Sequence, residues 1–180
     1  MRTSFWAVLQ PKVVTVLAVT GLMLIATSHV AAQAGSSLHP CSFLTEAQVG
    51  AAVGKVGEHA EGDMPGKTGM RACSWSVPGG LIVLSVMKVP NTKMSTRQLL
   101  DWMNSMYDTL KGQGWIYEKK DFGNVSCSML TPPAGANGSP ATYCATVAKG
   151  MLVIASTQTK SSVPMEKLKP LSENAATRLP

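Results

Sequence analysis

The side chains with the greatest chemical capacity in this chain are four cysteines, Cys41, Cys73, Cys127 and Cys144. Three chemistries are open to them: lipid attachment, nucleophilic attack as a thiolate, and disulfide formation. Lipid attachment requires a cysteine directly behind an apolar run, in a small-residue box such as Leu-Ala-Gly-Cys. Cys41 instead follows His39-Pro40 and stands beyond Ala32-Gln33-Ala34, where an export signal would be cut. A thiolate nucleophile needs a base and an electropositive setting. His39, two residues away across a proline, makes no such dyad, and the Cys-x-x-Cys spacing of redox and zinc motifs does not occur. Disulfides remain, and four cysteines in an exported domain allow three connectivities. Folding the chain at Gly135-Ala136 sets Cys127 opposite Cys144, which leaves Cys41 for Cys73. Strand alternation argues against that pairing. Cys127 shares a face with Val125 and Met129, whereas Cys144 shares one with Thr142 and Thr146, so a β-bulge is expected to reconcile them.

Other motifs invite chemistry and fail on spacing. "GDMPGKTG" has three residues between Gly62 and Gly66 where a phosphate loop has four, and Pro65 removes a backbone donor, so it reads as a surface loop. Asp121-Phe122-Gly123 has no kinase context and reads as a turn. Glu58, His59, Glu61 and Asp63 form an acidic cluster, read as a solvated loop, and neither His39 nor His59 stands in a metal-ligand spacing. Met103 and Met106, with Trp102 beside them, could offer thioethers to Cu(I), but methionine on a helical stripe is core filler. No Gly-x-Ser-x-Gly elbow and no paired-carboxylate signature appears. The reading is a non-enzymatic domain without metal or cofactor; the alternative is a hydrolase whose catalytic residues are dispersed along the chain. Candidate binding residues are the aromatics Trp75, Trp102, Trp115 and Tyr117, of which Trp75, on the strand of Cys73, is more readily a core residue than Trp115 after the glycines.

These residues must be positioned by elements that the sequence marks clearly. Residues 1–34 carry Arg2 and Lys12, an apolar run from Val13 to Ala26 and the Ala-x-Ala site, the three parts of a secretory signal. Cleavage after Ala34 leaves 35–180 as a single domain with no stable membrane anchor. Thr45 and Gln48 form a capping box with Leu44 and Val49 as hydrophobic staple, and Gly54 ends that helix. Ser95 and Gln98 repeat the device, with Met94 stapled to Leu99 and a stripe of Leu99, Met103, Met106 and Leu110 running to Gly112 or Gly114. "RACSWSV" and "LIVLSVMKV" flank a Pro-Gly-Gly turn; "WIYEKK", "VSCSML", "ATYCATVA" and "MLVIASTQ" are further strands, the last two joined at Lys149-Gly150. The tail "VPMEKLKPLSENAATRL" is helical in pattern, with Pro170 expected to break or restart it. The fold class is α+β: a mostly antiparallel sheet of about six strands with two to three helices packed on it. Two capped helices, each followed by a Cys-Ser strand (Cys73-Ser74, Cys127-Ser128), hint at an internal α-β-β duplication.

Sixteen Lys and Arg against ten Asp and Glu give a net charge of +6, but the cations are scattered and not interleaved with aromatics, which gives nucleic-acid binding little support. "PCSFLTEAQVGAAVG", followed by "ACSWSVPGG" and the later cysteines, resembles bacterial secreted and lipoprotein domains of unknown function. Those domains open with Cys-x-Leu-Leu-Thr, end the first helix in glycine and continue with a Cys-x-Trp strand. The matching residues are Cys41, Leu44, Thr45, Gly54, Cys73 and Trp75, with Phe43 where leucine is common. The resemblance covers the first third of the domain. It implies a bacterial periplasmic or secreted location, without the lipid-bearing cysteine of many members, and it brings no reaction with it. The expected role is binding of a small ligand, an envelope component or a protein partner.

Overall fold

The strand sequences pair into one antiparallel sheet in the computed structural model, which describes residues 38–64, 69–89, 96–105, 108–136 and 138–180. The signal segment 1–34, Pro65 and Gly66, the cap and staple residues Ser95 and Met94, the Met103 side chain and Met106 all lie outside the described residues. The strands are β1 (His59–Asp63), β2 (Met70–Val77), β3 (Gly80–Lys88), β4 (Ile116–Asp121), β5 (Val125–Thr131), β6 (Ala141–Ala148) and β7 (Met151–Thr159). Their order is β1-β2-β3-β7-β6-β5-β4, two meanders joined where β3 meets β7. The sheet therefore has seven strands rather than six. The extra one is β1, where the acidic cluster had been read as a solvated loop. His-Ala-Glu-Gly-Asp has no β-branched residue, and its charges are what an exposed edge strand carries to discourage further pairing.

Both tight turns form as their residues require. Pro78 and Gly79 link β2 to β3, with Gly79 at φ 83°. Lys149 and Gly150 link β6 to β7, both at positive φ, the backbone a two-residue hairpin needs.

Four helices and a 3₁₀ turn (Pro40–Phe43) complete the domain: α1 (Glu46–Val53), α2 (Thr96–Ser105), the single turn α3 (Asp108–Lys111) and α4 (Met165–Thr177). On α1 the Thr45 side chain accepts from the Gln48 N–H while the Gln48 side chain accepts from the Thr45 N–H, and Leu44 and Val49 are both buried. Gly54 closes that helix at φ 89°. Gly114, at φ 82°, ends the α2–α3 segment, and its N–H donates to the Lys111 carbonyl. Pro170 does not break α4. It is exposed, while Leu168, Leu171, Ser172 and Ala175 are buried on the sheet. Burying two leucines contributes about 1.5–3 kcal/mol each, enough to offset a proline cost of about 3 kcal/mol.

The sheet has two unequal faces. One carries Trp75, Leu84, Val125, Val153 and all three strand cysteines, and lies under the 3₁₀ turn, α1 and α4. The other is covered at one end by α2, whose Leu100 packs with Ala145 and Leu152. The two halves are thus not copies of one unit: α1 and α2 lie on opposite faces, yet Cys73 and Cys127 point to the same one.

Candidate functional site

Both disulfides form the pairs that folding the chain at Gly135-Ala136 favours. Cys41 is bonded to Cys73 and Cys127 to Cys144, and no cysteine is free. Cys127 and Cys144 are directly opposed on β5 and β6, with Cα atoms 4.1 Å apart, in a regular register without a bulge. The apparent conflict of faces vanishes because Thr142 and Thr146 are core residues. The Thr142 hydroxyl donates to the Val163 carbonyl at 2.6 Å and the Thr146 hydroxyl to the Asn124 carbonyl at 2.8 Å, so each is buried with its polar atom satisfied. All four sulfurs serve structure, and two such bridges point to an oxidising, extracytoplasmic environment. Among the described residues no helix is long and apolar enough to cross a membrane, and no three metal-ligating side chains gather.

The histidines each meet a carboxylate, and neither lines the cleft beside Trp115. His39 Nδ1 lies 3.1 Å from Glu61 Oε1, and His59 Nδ1 lies 3.8 Å from Glu46. Glu61 also accepts from the Cys41 backbone N–H at 3.2 Å and from Arg71 at 3.1 Å. It ties the first disulfide segment to the sheet edge. Among the described residues, the nearest hydroxyl in sequence, Ser42, donates to the His39 carbonyl rather than to its ring.

The opposite sheet face holds the site. Where α2 ends, a cleft of about 400 Å³ opens between the floor residues Leu130, Ala141, Tyr143 and Gln158 and a wall made by Leu110, Trp115 and Ser139. Each is placed for a local reason. Tyr143 immediately precedes Cys144, so alternation turns it away from the disulfide core toward this face. Gln158 is adjacent to Thr159 at the end of β7 and points the same way as Tyr143. Trp115 follows Gly114, and its N–H donates to the Leu110 carbonyl at 3.2 Å. Gly138 lies close to its indole: a Cβ there would come to 3.0 Å from Cη2 and 3.4 Å from Cζ2. The six-membered ring is therefore packed on the loop.

The lining bears no charged residue, and its polar side-chain groups are a hydroxyl, a phenol, an amide and an indole N–H. Burial raises the Tyr143 pKa above its ordinary value of 10.0, keeping it a neutral O–H. Such a site holds a ligand by apolar contact and hydrogen bonding. The candidate aromatics divide. Trp115 lines the cleft. Tyr117 lies beside it, opposite Leu130 on β4, and is half-buried; its hydroxyl is 3.3 Å from Ser128 Oγ, and the Lys111 ammonium sits 4.7 Å over its ring. Trp102 is 55 % exposed on the side of α2 away from Leu100, and is not part of the site. Tyr143, Gln158, Leu110 and Ser139 were not foreseen. Parity with Cys144 was the one signal that could have found Tyr143. Comparison with family models, with curated proteins and with solved structures finds no match to this chain.

Proposed function

We propose that the chain is an exported domain of the bacterial periplasm or exterior that binds a small uncharged ligand in the Trp115 cleft and catalyses no reaction on it. The observation that carries this reading is the composition of that cleft: an indole wall fixed by Gly138 over a floor of Leu130, Ala141, Tyr143 and Gln158, with no charge. Apolar pockets with a few convergent polar groups are the usual form of small-molecule sites, and a volume of about 400 Å³ falls in their range. The two disulfides, the Ala-x-Ala site and the resemblance of Cys41–Trp75 to secreted bacterial domains support export.

Saturation-transfer NMR of the purified protein against neutral sugars and short uncharged peptides tests the site. Binding should fall at least about tenfold in Trp115→Ala, as for loss of a buried aromatic anchor, and persist in Trp102→Ala. Equal affinity in Trp115→Ala sinks the assignment. A hydrolase remains the second reading because His39 and His59 both contact carboxylates. It requires that His39→Ala abolish a hydrolytic activity of the purified protein. On the export reading, intact mass of the exported protein begins at Gly35 with no acyl addition.

A further inference from the structure

A cleft of about 550 Å³ lies at the end of the sheet's other face, between the last turn of α1, the Val77-Pro78 turn and the segment from Thr159 into α4. Its ionisable lining is all positive: Lys160 and Lys167, with no carboxylate. Neither lysine has an ion-pair partner among the described residues. The contrast with their neighbours is direct, since Lys120 is 2.6 Å from Glu166 and Lys169 is 2.7 Å from Glu173. Lys55 lines a smaller adjoining cleft on the far side of the same Val77-Pro78 turn, adding a third cation.

The cationic wall is held in place. The Lys160 N–H donates to the Gly79 carbonyl at 3.0 Å, and its stem lies along Gly79, where a Cβ would meet it at 3.7 Å. The Thr159 hydroxyl donates to the Ser161 carbonyl at 2.6 Å, pinning the strand exit that carries Ser161 and Ser162. An anion entering this cleft meets two exposed lysines and no carboxylate in its lining, so the charge of the lining favours it.

The facing wall limits what that anion can be. Gly50 and Gly54 open the α1 backbone to the cleft; the Gly50 carbonyl accepts the Gly54 N–H at 2.7 Å, which leaves the Ala51, Ala52 and Val53 carbonyls at the helix end without a partner in the helix. They present acceptors at the negative end of the helix dipole, so a bare anion gains on one side and is repelled on the other. A ligand with an anionic group for the lysines and hydroxyl donors for the carbonyls satisfies both. We infer that this cleft is a second binding site, separate from the Trp115 cleft, for a small acidic sugar, its carboxylate or phosphate on Lys160 and Lys167 and its hydroxyls toward the end of α1.

Amide chemical-shift titrations of the ¹⁵N-labelled protein with glucuronate, glucose 6-phosphate, glucose and inorganic phosphate test this. Saturable shifts around Gly54 and from Lys160 to Lys167 are expected with one or both acidic sugars, the two arms separating carboxylate from phosphate, and none with glucose. Affinity should drop about tenfold in Lys160→Gln or Lys167→Gln, as for one lost charge-assisted hydrogen bond, and weaken as salt is raised. It should not change in Lys88→Gln, at the opposite end of β3, or in Trp115→Ala. Absence of saturable shifts with both acidic sugars overturns the site, as does an equal loss in Lys88→Gln. Loss in Trp115→Ala would transfer acidic sugars to the other cleft, and phosphate binding as tight as that of glucose 6-phosphate would remove the sugar from the proposal.

Discussion

Gly80 shows how much a single residue can decide in a sheet. It opens β3 directly beside β7, and a Cβ there would overlap the Gln158 carbonyl oxygen and come within 2.7 Å of the Thr159 Cα. Both obstacles are backbone, so neither can rotate away. Gly80→Ala should therefore cost about 3 kcal/mol through overpacking and disturb the strand end that carries Gln158. Gly62 on β1 is the control: a Cβ there meets nothing within 4 Å, and its φ is not positive, so Gly62→Ala should be neutral. Urea denaturation of the two variants checks both, and a stable Gly80→Ala protein would show that β3 and β7 separate more easily than their register implies. The sequence announced a turn at Pro78-Gly79-Gly80 without distinguishing the two glycines. Gly79 is needed for its backbone angle and Gly80 for its missing side chain, a distinction set by a strand that lies some seventy residues further along the chain.

At the scale of elements, α2 is fastened to edge strand β4 by a charged lattice on the exposed border of the sheet. Arg97 contacts Asp121 at 2.8 Å and Asp101 at 3.1 Å, Lys119 contacts Asp101 at 2.8 Å, and the Ser126 hydroxyl donates to Asp121 at 2.9 Å. The Lys119 hydrogen bond, despite some desolvation, holds Asp101 below its ordinary value of 3.8. Desolvation pushes Asp121 upward, but the Arg97 and Ser126 hydrogen bonds and the charges of Lys119 and Arg97 together take it below 3.8 as well. A carboxylate whose folded pKa is depressed contributes stability that is complete above the unfolded value and is lost as pH falls through the folded one. The attachment of α2 should therefore be intact above about pH 5 and weaken only in acid below the ordinary carboxylate range. Carbon-13 titration of the two carboxyls should give midpoints under 3.8, and Trp102 fluorescence should follow them. A midpoint at or above that value for either aspartate would mean that the ion pairs do not persist in solution. The sequence announces a helix here, and Leu99 and Leu100 are buried in it. It does not show this lattice, because Arg97 reaches Asp121, and Lys119 reaches Asp101, only when β4 is placed on the sheet edge near α2.

Over the whole molecule, the two disulfides act on different parts of the fold. Cys41–Cys73 fastens the entry segment, with its 3₁₀ turn, to β2 across 32 residues, and Cys127–Cys144 joins neighbouring strands across 17. By loop closure, the first should contribute about 4 kcal/mol and the second about 3 kcal/mol. Replacing each pair by serine should lower thermal stability in that order, and non-reducing peptide mapping should recover only these two linked pairs. Recovery of Cys41 linked to Cys127 or Cys144 would place the first helix against the wrong strand. A larger loss from the second pair would mean that packing in the β5–β6 core, rather than loop closure, sets its effect.

The sequence by itself determined the local structure, because that follows from neighbours: the Thr45–Gln48 box and the positive-φ turn residues. The centring of Cys127 and Cys144 on one loop favours their pairing among three connectivities, and Trp75, on the strand of Cys73, is the aromatic most readily assigned to the core. Tertiary structure decided what depends on distant surfaces. Thr142 and Thr146 read as an outward polar face until Val163 and Asn124 supply the carbonyls that let them be buried. His59–Asp63 becomes a strand because β2 offers it a free edge, and α4 passes through Pro170 because the sheet covers its apolar side. The two clefts arise in the same way. Gln158 and Thr159 are consecutive in sequence and face opposite sides of β7, so one chain end borders an uncharged aromatic pocket and a cationic one. Alternation sets that opposition, but only the helices packed on each face turn it into two sites.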